Sequence, residues 1–377
     1  MPTLRTVLSI PLLVAALLLS PALSPDTSGT ATTAGSTDAV LPRLVTEGGA
    51  PAAALLDRIR TGPGRVSRYA DTGPGIARTD HFRAGSITKT FVAVVVLQLA
   101  AEHRLSLDDT VDRHLPGLLR PARTAGPRSR SRSGSGSDSG SGSPPDGRRI
   151  TLRQLLTHTS GLPDFTQVTA GAVPLTPPQA VGLALTLPPA PRGHYSYSST
   201  NYVLLGMVIR QVTGHSYAAE AQRRIIAPLG LAGTSFPGSR RSLPAPHGHA
   251  FAADGSDVTE LDPRVAGAAG ELVTTLDDLD RFYAALLDGE LLTPHWLREM
   301  KDTRAAQGEY GMGLYPTRLP CGVTVWGHNG RISGSYVRTA ATADGGHVLT
   351  FRVNTDAMAD HRLEPALLAA EFCPRTW

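Results

Sequence analysis

The chain has 377 residues, of which 41% are hydrophobic and 18% charged, an ordinary globular composition with room for one large domain or two interleaved ones. Its net charge of +4 is a mild excess over that length and gives no argument for nucleic acid as a partner.

Residues 7–23 read VLSIPLLVAALLLSPAL, apolar and uncharged, and a small polar stretch follows. This pattern predicts a secretory signal and spacer over residues 1–40, with cleavage near Ala22-Leu23-Ser24 or near Ala34. An uncleaved anchor is the alternative, but the run is at the short limit for a membrane span. No cysteine lies near its end, so a lipoprotein-type attachment is not expected. The expectation is a secreted protein with no stable membrane anchor after signal removal.

Next comes AGSITKTF, residues 84–91. Of the 36 lysines and arginines in the chain, only Lys89 and Lys301 are lysine. Lys89 stands three residues after Ser86, so on a helix the two share a face. A serine hydroxyl is a poor nucleophile until a base takes its proton. Arginine cannot be that base, because it does not deprotonate in proteins. Lysine can, if burial lowers its pKa. FVAVVVLQLAAEHR, residues 91–104, is apolar nearly all round and predicts a buried helix that would supply the burial. Ser-x-x-Lys alone is weak, since a surface lysine in a first helical turn has the same spacing.

Residues 121–149 carry no hydrophobic pattern and predict a disordered run, either a linker between two domains or an insertion inside one. Helical periods follow in TLRQLL, NYVLLGMVIRQV and SYAAEAQRRI. LLTHTSGL, after the 121–149 run, contains His158. HYSYSSTNYVLLG places Tyr197, Ser198 and Ser199 just before a buried helix. Gly214-His215-Ser216-Tyr217-Ala218 has the look of a nucleophile elbow but follows a helix, so Gly214 is read as a C-cap and Ser216 as the next N-cap. Thr275 and Asp278 have the spacing of a capping box opening LDDLDRFYAALLDG.

The last third changes to strand patterns. GVTVW alternates, VWGHNGRISG places His328, Asn329, Gly330 and Arg331 at a strand end, and YVRTAAT and HVLTFRVN flank ADGG as a hairpin. Residues 360–373 predict a closing helix. Cys321 and Cys373 are the two cysteines; an oxidising compartment favours one disulfide between them, and two free buried thiols are the alternative. Such a bridge would contribute about 4 kcal/mol in the chain-entropy model. Taken singly, Tyr197 is as well read as a core tyrosine and His328 as a turn residue.

As an ordered set, Ser86-x-x-Lys89, LLTHTSGL, Tyr197-x-Ser199 and His328-Asn329-Gly330 resemble the penicillin-recognising serine hydrolases: DD-carboxypeptidases, class C β-lactamases and their esterase relatives. The stretch 310–337 and the cysteine pair are most similar to secreted actinobacterial D-alanyl-D-alanine carboxypeptidases. The resemblance implies an α/β fold: an antiparallel sheet flanked by helices, formed by both termini, with an all-helical region inserted. It also implies one domain over 41–377, with 121–149 as a disordered insertion where relatives have a short turn, and makes LLTHTSGL, with His158, a structural turn. It implies no cofactor and no metal, and a small peptide or β-lactam as substrate.

Residue by residue, the resemblance implies that Ser86 is acylated and that Lys89 or Tyr197 is its base, a choice left open. It implies that His328 polarises the cleft, with activity sensitive to pH at about 6–7. The backbone N–H groups of Ser86 and Arg331 would form the oxyanion hole, and Gly330 would let substrate lie along the strand edge. Three positions depart from the pattern. Ser199 stands where the family has asparagine, Asn329 where it has threonine, and Tyr315 where related carboxypeptidases carry an arginine for the substrate's carboxylate. Arg331 and Arg318 are the candidates to compensate. The expected function is D-Ala-D-Ala carboxypeptidase, with a β-lactamase or esterase as the alternative enzyme and a non-catalytic wall-peptide or β-lactam binder as the rival.

Overall fold

A computed structural model describes residues 34–119, 146–358 and 360–373. The apolar run at 7–23 lies outside the described residues, as does the predicted insertion except for residues 146–149. There the Asp146 carbonyl accepts from the Arg149 N–H at 2.9 Å, closing a turn. Among the described residues no helix is long and apolar enough to cross a membrane.

Among the described residues there are eight strands: β1 Ala53–Thr61, β2 Gly64–Thr72, β3 Phe82–Arg83, β4 Val273–Thr274, β5 Tyr315–Arg318, β6 Thr324–Ile332, β7 Ser335–Ala341 and β8 His347–Val353. Six of them form one antiparallel sheet in the order β2-β1-β8-β7-β6-β5, and β3 pairs with β4 apart from it. The N-terminal hairpin thus docks on the last strand of the chain, which is the both-termini sheet that the family resemblance implied. The helical region between β2 and β5 packs on one face of the sheet.

The helix Thr88–Ala101 is the centre of that packing. Nearly every residue in it is buried, as its all-round apolar sequence predicts. Phe91 stacks on Phe282 with ring centroids 3.8 Å apart. Burying side chains of this size stabilises by about 1.5–3 kcal/mol each, and Leu97→Ala would cost about 2–5 kcal/mol. On the other face, the closing helix Leu363–Phe372 packs against Leu55, Leu349 and Phe351. The helix Ala34–Val40, within the stretch read as spacer, lies beside it, and the Thr37 hydroxyl donates to Glu371 at 2.7 Å.

Cys321 and Cys373 form a disulfide with Cα atoms 5.8 Å apart, tying the β5–β6 turn to the end of the closing helix. Gly214 is a left-handed C-cap at φ 79°, and the Ser216 hydroxyl accepts from the Ala219 N–H at 3.1 Å, so that serine is a cap and not a nucleophile. The predicted capping box at Thr275 is only half formed. The Thr275 hydroxyl accepts from the Asp278 N–H, but the Asp278 carboxylate turns away to accept from Gly233 N–H and the Thr234 hydroxyl, each at 2.8 Å.

Candidate active site

β3 delivers the chain into a single 3₁₀ turn, Gly85–Ile87, which runs directly into the helix Thr88–Ala101. The Thr88 hydroxyl locks this junction. It donates to the Gly85 carbonyl at 2.7 Å and accepts from the Leu272 N–H at 3.0 Å. Ser86 therefore sits on a fixed turn just before a helix, and Lys89 in the first helical turn curls back onto it.

Three contacts fix the Lys89 ammonium nitrogen. It lies 2.9 Å from Ser86 Oγ, 2.8 Å from the Ala269 carbonyl and 3.5 Å from Ser199 Oγ. The lysine is wholly buried. Burial disfavours its charged form and lowers its pKa to about 7, against an opposing pull from Asp164. The Tyr197 hydroxyl donates to Ser86 Oγ at 2.8 Å. Burial holds this phenol well above its ordinary pKa, so it stays protonated. One group beside Ser86 can be neutral and accept a proton near pH 7, and the other keeps a proton to give.

His158 supports Tyr197. It has a left-handed backbone, φ 56°, rare for a non-glycine residue. Its Nδ1 accepts from the Ser198 N–H and from the Asn201 amide, both at 3.1 Å. That assigns the proton to Nε2, and burial keeps the ring neutral by pulling its pKa well below the usual value. The ring packs against Tyr197 with centroids 4.3 Å apart. The turn is thus structural, as the family resemblance implied, and what it structures is the tyrosine at the nucleophile.

β6 forms the opposite wall. Gly330 and Arg331 press on the Ser86 turn so closely that a Cβ on Gly330 would lie 1.8 Å from the Ala84 carbonyl oxygen and 3.2 Å from Ser86 N. A Cβ on Gly85, itself at φ 49°, would lie 2.8 Å from Arg331 N. The two backbone N–H groups expected to form an oxyanion hole, that of Ser86 on the 3₁₀ turn and that of Arg331 on β6, therefore belong to segments in direct backbone contact. The Arg331 side chain is exposed.

Two expectations for β6 need correction. His328 is brought to the cleft wall, but its Nε2 bonds the Tyr310 hydroxyl at 2.8 Å and its Nδ1 the Asn329 carbonyl, rather than Ser86, Lys89 or Tyr197. Burial lowers its pKa to about 3, so it stays neutral and cannot produce a titration at pH 6–7. Asn329 is not at the cleft. Side chains alternate along a strand, so with Gly330 facing Ser86, Asn329 faces the other side of the sheet. There its amide donates to the Tyr336 hydroxyl at 3.3 Å, and Tyr336 in turn bonds Glu364 of the closing helix. Ser199 reaches Lys89 only at the 3.5 Å limit, shorter in reach than an asparagine would be.

Comparisons with known proteins bear on the family and the fold. Residues 37–371 match the Beta-lactamase family. The chain belongs to the beta-lactamase family. It is a serine hydrolase of that family, similar in structure to a D-stereospecific amidohydrolase from Streptomyces sp. (38% identity, TM-score 0.77, covering 90% of this chain and 99% of that one). It is also similar to the D-amino acid amidase from Ochrobactrum anthropi SV3 (26% identity, TM-score 0.74, 90% and 98% covered). Among curated sequences it is similar to the putative penicillin-binding protein PbpX of Bacillus subtilis, 27% identical over 62% of this chain and 53% of that protein. Penicillin-binding protein 4 of Amycolatopsis lactamdurans is 27% identical over 69% of this chain and 64% of that protein. The chain spans little more than half the length of the first of these curated relatives.

Within this beta-lactamase-family site, sequence reasoning missed three groups. Tyr310, the first residue of the 310–337 stretch, is the partner of His328 and stacks between Tyr195 and Tyr315. Asn201 holds His158 and accepts from Ser160 Oγ at 2.6 Å. The Ala269 carbonyl has no side-chain signature at all. Among the described residues, Asp57, His347 and Glu371 are the group with metal-ligating chemistry, their ligand atoms within 4.8 Å of one another. Arg68 already bonds Glu371 at 3.2 Å and approaches Asp57, so these residues form an ion cluster between the outer strands and the closing helix.

Proposed function

We propose that this protein is an exported hydrolase that forms an acyl-enzyme at Ser86 and cleaves amides or esters of D-configured amino acids whose leaving group carries no carboxylate. In this reading neutral Lys89 takes the Ser86 proton as Oγ attacks the carbonyl, and the Ser86 and Arg331 N–H groups bind the oxyanion. Tyr197 donates its proton to the departing amine or alcohol and recovers one through Ser86 and Lys89 as the acyl group leaves to water. His328 and Tyr310 are positioning residues for the cleft wall.

The observation that carries the leaving-group claim is Tyr315. It stands where related carboxypeptidases hold the substrate's carboxylate with arginine, and its ring is covered by the Arg338 guanidinium at 4.6 Å, which in turn pairs with Glu364. Arg318 does not substitute for it. It pairs with Thr324, six residues from Gly330 along β6, or roughly 20 Å of strand. The similarity over nearly full length to a D-stereospecific amidohydrolase supports the D-configured acyl side.

A D-Ala-D-Ala carboxypeptidase is the second reading, favoured by one observation: the exposed Arg331 side chain next to Gly330, free to meet a carboxylate at the cleft rim. The two are separated by comparing ammonia release from D-phenylalanine amide with D-alanine release from a peptide ending in D-Ala-D-Ala, in the wild type and in Arg331→Ala. The first reading predicts faster amide turnover that Arg331→Ala leaves intact. Peptide turnover that exceeds it and collapses in Arg331→Ala would establish the second. Sustained penicillin consumption would establish a β-lactamase, and tight ligand binding with no turnover a non-catalytic binder. A lysine near its midpoint beside the serine opposes the last, since a binder has no use for a base.

Export rests on the apolar run at 7–23 and is consistent with the Cys321–Cys373 bridge. Detection of the mature chain, shortened at its N-terminus, in the culture medium of its host tests it. Recovery of the full-length chain from the cell pellet alone would refute it.

A further inference from the structure

Beside β3, the strand that leads into the Ser86 turn, a cavity of about 20 Å³ is lined by Arg83, Arg352, Phe82, Ser335, Gly334 and Asn354. Both arginines are only 4% exposed. Their charges are unevenly matched. Arg352 donates to Asp80 at 3.0 Å and lies over the Phe82 ring at 4.7 Å. Arg83 donates one nitrogen to the Arg241 carbonyl at 2.6 Å and, among the described residues, has no carboxylate within ion-pair distance. Glu260, the acid that acts on it, is exposed. Two buried guanidinium atoms, Arg83 Nη1 and Arg352 Nε, have no protein partner. Two buried cations against one buried carboxylate leave an excess positive charge, which is costly in a low-dielectric interior. Consistent with that cost, burial depresses both guanidinium pKa values to about 10.

We propose that this cavity binds one small inorganic monoanion of the halide class between Arg83 and Arg352, and that the ion braces the nucleophile turn. The size fits, because a cavity of this volume holds one or two water-sized species. The chemistry fits, because unpaired N–H groups on two cations are anion donors. The position couples the site to catalysis. Arg83 lies three residues before Ser86, and its carbonyl accepts from the Ser335 hydroxyl at 2.7 Å. Gly334 and Ser335 belong to the hairpin that returns from β6, three and four residues after Arg331. An ion there would sit between β3, which leads into the Ser86 turn, and the hairpin turn that follows β6.

The test is independent of substrate. Crystals of the wild type soaked in bromide are read by anomalous scattering, and the melting temperature is titrated with chloride at constant ionic strength, with gluconate, too large for the cavity, as the balancing anion. The expected result is a bromide peak bridging Arg83 and Arg352 and a rise of about 2–4 °C that saturates. Arg83→Met should abolish the chloride-dependent rise. If that variant does not fold, the bromide map of the wild type decides alone. Water in the cavity with no anomalous peak overturns the proposal. So does a bromide peak without any chloride-dependent rise, or an equal rise in wild type and Arg83→Met.

Discussion

Lys89 Nζ, wholly buried, lies 2.9 Å from Ser86 Oγ, and the same nitrogen is held by the Ala269 carbonyl at 2.8 Å. Both contacts suit a neutral amine, which can turn one N–H to the carbonyl and its lone pair to the serine. This explains why the chain keeps lysine here while using arginine at almost every other basic position.

The pH profile follows. With Lys89 lowered to about 7, kcat/KM should rise as pH climbs toward 7 and level off above it. Lys89→Arg, charged at every accessible pH, should lose about 10²–10⁴-fold in kcat/KM. A profile flat from pH 5 to pH 9 (roughly the range over which the group titrates) would contradict the assignment of Lys89 as base.

Lys89 also carries a stability signature. Its pKa falls from 10.5 unfolded to about 7 folded, so the unfolded chain binds the extra proton between those values. The penalty is fully present below pH 7 and is relieved as pH rises toward 10.5. Lys89→Met should therefore be inactive yet melt higher than wild type at low pH, with the gap closing in alkali. The upper bound on the gain is on the order of 5 kcal/mol. A methionine variant less stable at every pH would show that the buried ammonium is held by contacts stronger than its desolvation.

His328 is neutral across this range, so His328→Asn should lower kcat/KM by roughly tenfold through the lost Tyr310 bond while leaving the limb near pH 7 in place. Disappearance of the limb in this variant would return the titration to the histidine.

Gly330→Ala tests the contact between β6 and the Ser86 turn. The added carbon would lie 1.8 Å from the Ala84 carbonyl oxygen, and that oxygen is main chain, so the strands must part. Loss of the oxyanion geometry should cut acylation about 10²–10³-fold with the melting temperature reduced but the fold kept by circular dichroism. Wild-type acylation rates in this variant would remove Arg331 from the oxyanion hole.

Much of this was legible in the sequence, and the failures have physical causes. The helix Thr88–Ala101 was readable because its apolar residues face the core on every side. Ser86 and Lys89 were readable as a serine with a potential base on the same helical face, and Tyr197 only through the family resemblance of the ordered motifs. β1 was not read, because AALLDRIRT begins as an apolar run and ends in charges, with no clean alternation. Asn329 was assigned to the cleft by motif, although the period of two along β6 already sets it opposite Gly330. Tyr310, His158 and Ala269 act through tertiary packing, a backbone conformation and a carbonyl, none of which a single sequence displays.

Away from the cleft, His347 donates toward Asp57 and Glu371 at 2.8 and 3.1 Å, and these carboxylates raise its pKa to about 9. A folded value above the unfolded 6.5 means that the stabilisation is complete below pH 6.5 and is lost as pH rises through about 9. His347→Gln should lower the melting temperature by several degrees at pH 6 and far less at pH 10. An equal loss at both pH values would make the histidine a packing residue only.

The central claim is covalent chemistry at Ser86 on a D-configured acyl group, and intact mass against time after mixing with a D-phenylalanine ester reads it most directly. The account predicts a transient adduct that maps to the peptide containing Ser86, forms far more slowly with the L-ester, and is absent in Ser86→Ala. An adduct that persists in Ser86→Ala, or one that forms equally with both enantiomers, would contradict it.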